Sequence, residues 1–234
     1  MGKERIISAA ILALGIVIAG AFLKGGIDNI VDRDRKVTVK GLAEREVKAD
    51  KVTWPIVSKE LGDNLPELYD RIASKQRTIK AFLIQNGISE KEISINAPKV
   101  LDLNAEQYSE QNRRFRYNVT LVITVTSKSV DKVRGIIAKQ GELLRQGVAI
   151  VADEYQNPVV YEYESFQKMK PKMMTEAIEN ARVTADQFAK NSHSTISKIL
   201  TAGQGQFSIE DRDANTPYIK RVRVVTTVTY ALKD

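Results

Sequence analysis

Few residues in this chain of 234 residues have the types and spacing that enzyme chemistry usually needs. It has one histidine, His193, and no cysteine, so cysteine nucleophiles and thiolate metal sites are excluded. His193 lies in the sequence KNSHS near the end of a predicted helix. A capping or surface role is common there, and no second histidine completes a familiar catalytic pair. Acid–base chemistry would depend on carboxylates alone, such as Glu162, Glu164 or Asp211.

One stretch matches the first ligand positions of a calcium-binding loop. Asp211, Asp213 and Asn215 form a D-x-D-x-N run, which is how that motif begins. Thr216 stands where the loop needs its turn glycine, and Val222 stands where it needs a bidentate acid. The run therefore predicts a polar hairpin loop rather than a metal site.

Two further motifs do not support a cofactor site. Gly203 and Gly205 in AGQGQF lack the spacing of a phosphate or dinucleotide loop, and they predict a bulge or bend in a strand. Met169, Met173 and Met174 have the spacing of a helix core, without ligands that would suit copper or haem. We therefore predict no catalytic residue, no cofactor, no bound metal and no small-molecule substrate.

Strand and helix periodicities alternate along residues 37–234 and predict an α+β fold with helices packed on sheets. The expected layout is two ββαββ-type halves, about 37–127 and 148–234. A connecting helix over residues 129–147 is expected to join them.

The two halves are linked by a sequence similarity. Arg114–Val125 (RFRYNVTLVITV) aligns with Arg221–Leu232 (RVRVVTTVTYAL), and the apolar positions match. Internal duplication and a chance match between valine-rich strands both explain this similarity.

Several boundaries are expected from local signals. Asn64 and Pro66 predict the start of a helix that ends near Gly87. The other expected elements are a strand at Ile93–Leu101, a strand at Val148–Tyr155 and a helix at Phe166–Asn191.

The N-terminal part contains eighteen uncharged, mostly apolar residues, Ile6–Leu23. As a helix this stretch is ~27 Å long, close to the ~30 Å of a bilayer core. We therefore predict a membrane anchor over residues 1–23, a flexible tether over 24–36, and one folded domain beyond them. The anchor residues that we single out are Ile6, Ile11, Leu14, Ile18 and Leu23.

A secretory signal peptide is the alternative interpretation of this segment. Lys3 and Arg5 supply a basic start, and Ala19 and Ala21 fit a cleavage site before Phe22. The apolar run is longer than the ~7–15 residues usual for a signal peptide, which favours retention as an anchor. Basic residues flank both ends of the run, so the charge pattern alone does not set the orientation.

The net charge of +7 and the pI near 9.4 suggest anionic partners. The basic residues are spread along the chain without the interleaved aromatic residues that stack on bases, so we predict no nucleic-acid binding. Attraction to anionic lipid headgroups suits a tethered domain better.

An assembly surface is expected where a strand carries Trp54 and Pro55. Proline cannot donate to a β-ladder, so this strand should lie at an edge or carry a bulge. Burial of Trp54 under the helix is the alternative. The full set of assembly candidates is Trp54, Pro55, Arg114, Arg116, Arg221 and Arg223.

Several separated blocks together resemble the SIMPL domain family, in its membrane-anchored bacterial subgroup. They are VTVKGLAEREVKAD (37–50), LIQNGISEKEI, KPKMMTEAIENARVTADQFA (170–189), QGQFSIEDRD (204–213) and VRVVTTVTYAL (222–232). The resemblance implies an α+β fold and a bacterial inner-membrane location with the soluble domain in the periplasm. It also implies large homo-oligomers, a link to envelope or oxidative stress defence, and no established catalytic residues.

Three functions are therefore expected in order of preference. The first is a non-enzymatic, membrane-anchored envelope protein that self-assembles. The second is an extracytoplasmic binding module for a partner protein or an anionic envelope polymer. The third is an enzyme that uses carboxylates alone.

Overall fold

The computed structural model describes residues 13–24, 35–105, 114–152 and 155–233. The chain divides into two compact units, each built from separate stretches of sequence. Unit 1 comprises the described parts of Met1–Arg45, Lys168–Ser208 and Val222–Asp234. Unit 2 comprises those of Glu46–Gln167 and Ile209–Arg221.

Two sheets confirm the α+β class. The strands are β1 (Lys36–Lys48), β2 (Lys51–Gly62), β3 (Ile93–Ile95), β4 (Lys99–Asp102), β5 (Tyr117–Ser127), β6 (Val160–Glu162), β7 (Thr195–Asp211) and β8 (Ile219–Lys233). The helices are α1 (residues 13–24), α2 (Leu65–Gln85), α3 (Val130–Ile137), α4 (Gly141–Arg145) and α5 (Phe166–Asn191). One sheet has the order β1-β8-β7, and the other has the order β3-β5-β2-β6 with β4 also paired to β5.

Unit 2 is organised around the antiparallel pair β2–β5, which runs without a break from Val52 opposite Ser127 to Gly62 opposite Tyr117. Alternate residues of β5 point into the core, because successive side chains of a strand face opposite sides. Helix α2 buries its apolar face in the same core through Leu68, Ile72, Ile79, Phe82 and Leu83.

Both ends of α2 follow the local signals. The side chain of Asn64 accepts a hydrogen bond from the backbone N–H of Glu67, with proline in the first turn. Beyond the last turn, Gly87 has φ of 85°, a left-handed conformation that glycine adopts without a steric penalty. The predicted helix boundaries are therefore confirmed.

In unit 1, α5 packs on β1 and β8 with a stripe of alanines. Ala181 and Ala185 share a buried cluster with Val39, Val228 and Tyr230. Small side chains on the helix let its backbone come close to the strand: a Cβ built on Gly41 of β1 would lie 1.8 Å from the carbonyl oxygen of Ala177. The predicted helix at Phe166–Asn191 is confirmed.

Three predicted elements differ in the structure. The strand expected at Ile93–Leu101 is interrupted between β3 and β4, where Pro98 removes a backbone donor. The connecting helix expected over 129–147 is broken into α3 and α4 at residues 138–140.

The strand expected at Val148–Tyr155 is absent from its described part, residues 148–152. The N–H of Val148 instead donates to Leu143 O and so completes the end of α4. The N–H of Val151 donates to Val57 O as an isolated contact. The second half therefore contributes β6, α5, β7 and β8, and two matching ββαββ halves are not confirmed.

In the N-terminal segment, the described residues 13–24 are helical, and Leu14, Ile18 and Leu23 are exposed. The anchor candidates Ile6 and Ile11 lie outside the described residues, as does most of the predicted tether. Among the helices of the described residues, none combines the length and the hydropathy that a membrane crossing needs.

Candidate functional site

His193 lies just beyond the end of helix α5. It has φ of 56°, and its N–H donates to the carbonyl of Lys190 at 3.1 Å. The N–H of Ser194 then donates to Ala189 O at 2.8 Å, which satisfies another carbonyl of the last turn. The predicted capping position of His193 is confirmed.

The run begins at Asp211, the last residue of β7, and continues through Asp213 and Asn215 into the loop before β8. Oδ1 of Asp213 accepts hydrogen bonds from the backbone N–H groups of Asn215 and Thr216 at 2.9 and 2.8 Å. This is a turn closed by an aspartate side chain. Within the described residues, no group of three or more histidine or acidic side chains is placed to hold a metal. The polar hairpin loop is confirmed.

Hydrogen bonds from side chains of this loop alter the acidity of Asp213. Hydrogen bonds from the Thr216 hydroxyl and then from Arg212 lower the pKa of Asp213 to about 2. Because its folded pKa lies below its unfolded value of about 3.9, this carboxylate stabilises the fold above pH ~4. That contribution is lost as the pH falls through about 2.

We therefore expect a carboxyl NMR titration of Asp213 to have its midpoint near pH 2. In Thr216→Val, which lacks the hydroxyl, the midpoint should move up towards the ordinary aspartate value because the largest cause of the shift is gone. A wild-type midpoint near pH 4, unmoved by Thr216→Val, would contradict this description of the loop.

Each carboxylate proposed for acid–base chemistry forms an ion pair with a lysine. Lys51 pairs with Glu162 at 3.0 Å and with Glu164 at 2.9 Å, and these hydrogen bonds raise the pKa of Lys51. Asp211 pairs with Lys220.

Asp50, which precedes Lys51 in the chain, accepts hydrogen bonds from the backbone N–H groups of Glu164 and Ser165 at 2.6 and 2.8 Å. Partial burial of Asp50 opposes its ionisation, but hydrogen bonds from Ser165 and Glu164 outweigh that effect and lower its pKa. These hydrogen bonds attach the segment after β6 to the turn between β1 and β2.

An open apolar groove lies on unit 2 between the start of α2 and β4. Its volume is about 480 Å³. Leu65 and Tyr69 of α2 form one wall, Val100 of β4 forms the other, and Val119 of β5 lies buried at the floor. The lining residues are Leu65, Pro66, Tyr69, Asp70, Pro98, Val100 and Val119. Helical spacing predicts Leu65 and Tyr69 as core residues, but the structure leaves both of them exposed.

The alternative prediction for Trp54, burial in the core, is confirmed, and the predicted edge position of its strand is wrong. Strand β2 lies inside its sheet, and Trp54 is only 3% exposed, within the core of unit 2. Its indole is therefore not available to a second copy while this core is intact. Pro55 lies beyond Thr53, the last residue that β6 covers, so it sits where β2 has a single strand partner.

The four arginine candidates, Arg114, Arg116, Arg221 and Arg223, are exposed. Arg116 binds Asp102 through two guanidinium nitrogens, and Arg114 lies 5.4 Å from the ring centre of Phe115. Arg221 and Arg223 are exposed on β8.

A different exposed surface is the strand β7. It is 17 residues long, it borders its sheet, and none of its residues is fully buried. Ile199, Leu200 and Ile209 are exposed large apolar side chains on it. Such an edge offers unpaired backbone groups to another strand. Sequence patterns did not identify it, because they predict strands but not the order of strands in a sheet.

Residues 37–230 match the model of one protein family, SIMPL, described as a protein of unknown function (DUF541). The chain belongs to the SIMPL family. The SIMPL match extends from β1 to β8 and so includes the edge strand and the groove. The resemblance of the sequence blocks to the SIMPL family is confirmed, and membership of its membrane-anchored subgroup stays a prediction. A search of the curated proteins finds no match to this SIMPL chain.

Proposed function

We propose that this SIMPL protein is a non-enzymatic, membrane-anchored protein of the bacterial cell envelope that assembles into a large homo-oligomer. The observation that carries this proposal is the long exposed edge of β7. Soluble proteins usually protect edge strands with charges, proline or a covering segment. In β7, residues 199–209 contain neither a charge nor a proline.

Anchoring is supported by the apolar N-terminal sequence. The described helix α1 exposes Leu14, Ile16, Val17, Phe22 and Leu23, which suits burial in lipid. Placed in the inner membrane with its domain in the periplasm, the protein would belong to the membrane-anchored subgroup. Anchored copies share a plane, and this raises their effective concentration for self-association. A role in envelope or oxidative stress defence follows from the resemblance and is part of the proposal.

Cell fractionation and native electrophoresis test both parts of the proposal. We expect the full chain to remain in bacterial membranes after an alkaline carbonate wash, with its domain open to protease added to spheroplasts. The chain starting at residue 24 should leave the membrane fraction. Membranes solubilised in mild detergent should give a native band far larger than one chain. Release of the full chain by carbonate, or a band of single copies, would refute the anchor or the assembly respectively.

A second candidate function is a binding module for an anionic envelope polymer. The observation in its favour is the open face of the β1–β8–β7 sheet in unit 1, opposite α5. Lys36, Lys40 and Arg223 are exposed, and the alternation along β1 and β8 puts them on this face. A hydrogen bond of 2.9 Å between the hydroxyls of Thr38 and Thr229 joins the two strands there.

Salt dependence separates this second function from self-assembly. Binding to a model polyanion such as dextran sulfate should weaken steeply between low and physiological salt. The variant Lys36→Gln/Lys40→Gln should weaken it further without changing the oligomer. Binding that is absent, or insensitive to both salt and these lysines, would remove this candidate.

A further inference from the structure

Three pairs of positions in β7 match across Gln204 in residue type or in opposite charge. Reading outwards from this residue, Gly203 matches Gly205, Ile199 matches Ile209, and Lys198 is balanced by Glu210. We propose that β7 pairs antiparallel with β7 of a second copy, with the twofold axis at Gln204. This proposal rests on the self-assembly proposed above and specifies one of its contact surfaces.

Charge complementarity identifies the second copy as the occupant of this edge. In an antiparallel pair centred on Gln204, Lys198 of each copy lies directly opposite Glu210 of the other, so the contact gains two ion pairs. Within the part of the chain that the structure describes, neither side chain has an ion pair of its own. Opposite charges in directly opposed positions stabilise a strand pair, and like charges destabilise it.

The same charges select the register. A slip of two residues in one direction would bring Lys198 opposite Arg212, just beyond β7, and set two positive charges against each other. A slip of two residues the other way would leave Lys198 opposite Ser208 and lose both ion pairs. A slip of one residue would exchange the faces of the whole strand. The centred register is therefore favoured over its neighbours.

Apolar contacts add to the centred pair. Ile199 and Ile209, which are exposed in the single chain, come into direct opposition. The contact joins two three-stranded sheets into one sheet in the order β1-β8-β7-β7-β8-β1. A twofold contact is self-complementary and closes on itself. It would therefore supply the dimer from which a larger assembly is built through other surfaces.

The absence of native cysteine makes disulfide trapping a direct test. The experiment uses the full chain in detergent, at a concentration at which the wild type assembles. In Gln204→Cys the two Cα atoms would be ~4.5–5.5 Å apart across the axis, within the range of a disulfide. Mild oxidation should convert most of the protein into a covalent dimer.

Two off-axis variants are the matched controls. Ala202 of one copy lies opposite Gln206 of the other, so identical residues at position 202 are ~14 Å apart along the strand. Ala202→Cys alone and Gln206→Cys alone should therefore give little dimer, whereas a mixture of the two should cross-link. All three positions are exposed, and circular dichroism checks that each variant is folded.

Charge exchange provides a second, independent measurement. Glu210→Lys places two lysines opposite two lysines, and the concentration at which chains pair should rise about tenfold or more. The double variant Lys198→Glu/Glu210→Lys restores opposite charges and should return pairing close to that of the wild type.

The outcomes separate this proposal from the proposed function. If the wild type assembles but Gln204→Cys does not cross-link, or the three cysteine variants cross-link equally, the β7 pairing is overturned and assembly stands. If the double variant Lys198→Glu/Glu210→Lys does not restore pairing, the proposed register is wrong. If the wild type stays monomeric at every concentration, assembly fails and the pairing fails with it.

Discussion

Gly41→Ala should disrupt the packing of unit 1. A Cβ at this position would lie 1.8 Å from the carbonyl oxygen of Ala177 and 2.6 Å from the backbone nitrogen of Ala181. These are backbone atoms of a 26-residue helix, so no side-chain rotation relieves the clash, and β1 must move away from α5. We expect a loss of about 3 kcal/mol or more in the free energy of unfolding.

Hydrogen exchange of the α5 backbone amides measures this effect in the unit concerned. In Gly41→Ala these amides should exchange much faster than in the wild type. Gly135→Ala is the control because a Cβ there meets nothing within 4 Å. It lies inside α3, where alanine should stabilise by about 0.5–1 kcal/mol. Unchanged protection of α5 in Gly41→Ala would show that the strand and the helix do not approach as closely as described.

Trp54→Ala should produce the second large effect, in unit 2. The indole is buried in the same cluster as Ile56, Leu121 and Ile123. Truncating a buried tryptophan removes its burial energy and leaves a cavity, at a cost of about 3–5 kcal/mol. Trp54→Phe keeps most of the apolar volume and should cost clearly less.

Urea unfolding followed by circular dichroism gives these free energies. In the wild type, the fluorescence of Trp54, the only tryptophan, should be that of a buried indole and should shift to the red as unit 2 unfolds. The hypothesis that Trp54 is an assembly contact makes the opposite prediction. It requires Trp54→Ala to keep its stability and lose self-association, and that result would contradict the packing described here.

Local signals in the sequence predict those elements whose formation depends on nearby residues. Helix α2 follows from the cap at Asn64, the apolar stripe and the glycine at its end. Strand β5 follows from strict alternation of apolar and polar residues, because its two faces meet different surroundings. The position of His193 follows from the end of the alanine-rich stripe of α5.

Elements that depend on distant residues could not be predicted in the same way. Whether Trp54 is exposed depends on β5 and α2, whose side chains share its buried cluster although β5 lies far along the chain. Proline at position 55 indicated a missing donor but not which side of the strand lacked a partner. The need for glycine at position 41 is visible only once α5 lies against it.

The candidate assembly surface on β7 likewise could not be predicted from the sequence alone. The residues of β7 are readable in the sequence, and the glycines at 203 and 205 indicated only a bulge or bend. The opposite charges of Lys198 and Glu210, at equal distances from Gln204, acquire a physical meaning when β7 is known to lie at the border of its sheet. Strand order is set by long-range pairing, which a one-dimensional pattern does not contain.

Light scattering of the purified full chain in detergent, with the detergent mass subtracted, tests the central claim most directly. The protein mass of one chain is 26.2 kDa. We predict a particle whose protein mass is a fixed, even multiple of this value at micromolar concentration, as expected if twofold pairs are its building blocks. A protein mass of one chain per particle over the whole accessible concentration range would contradict self-assembly.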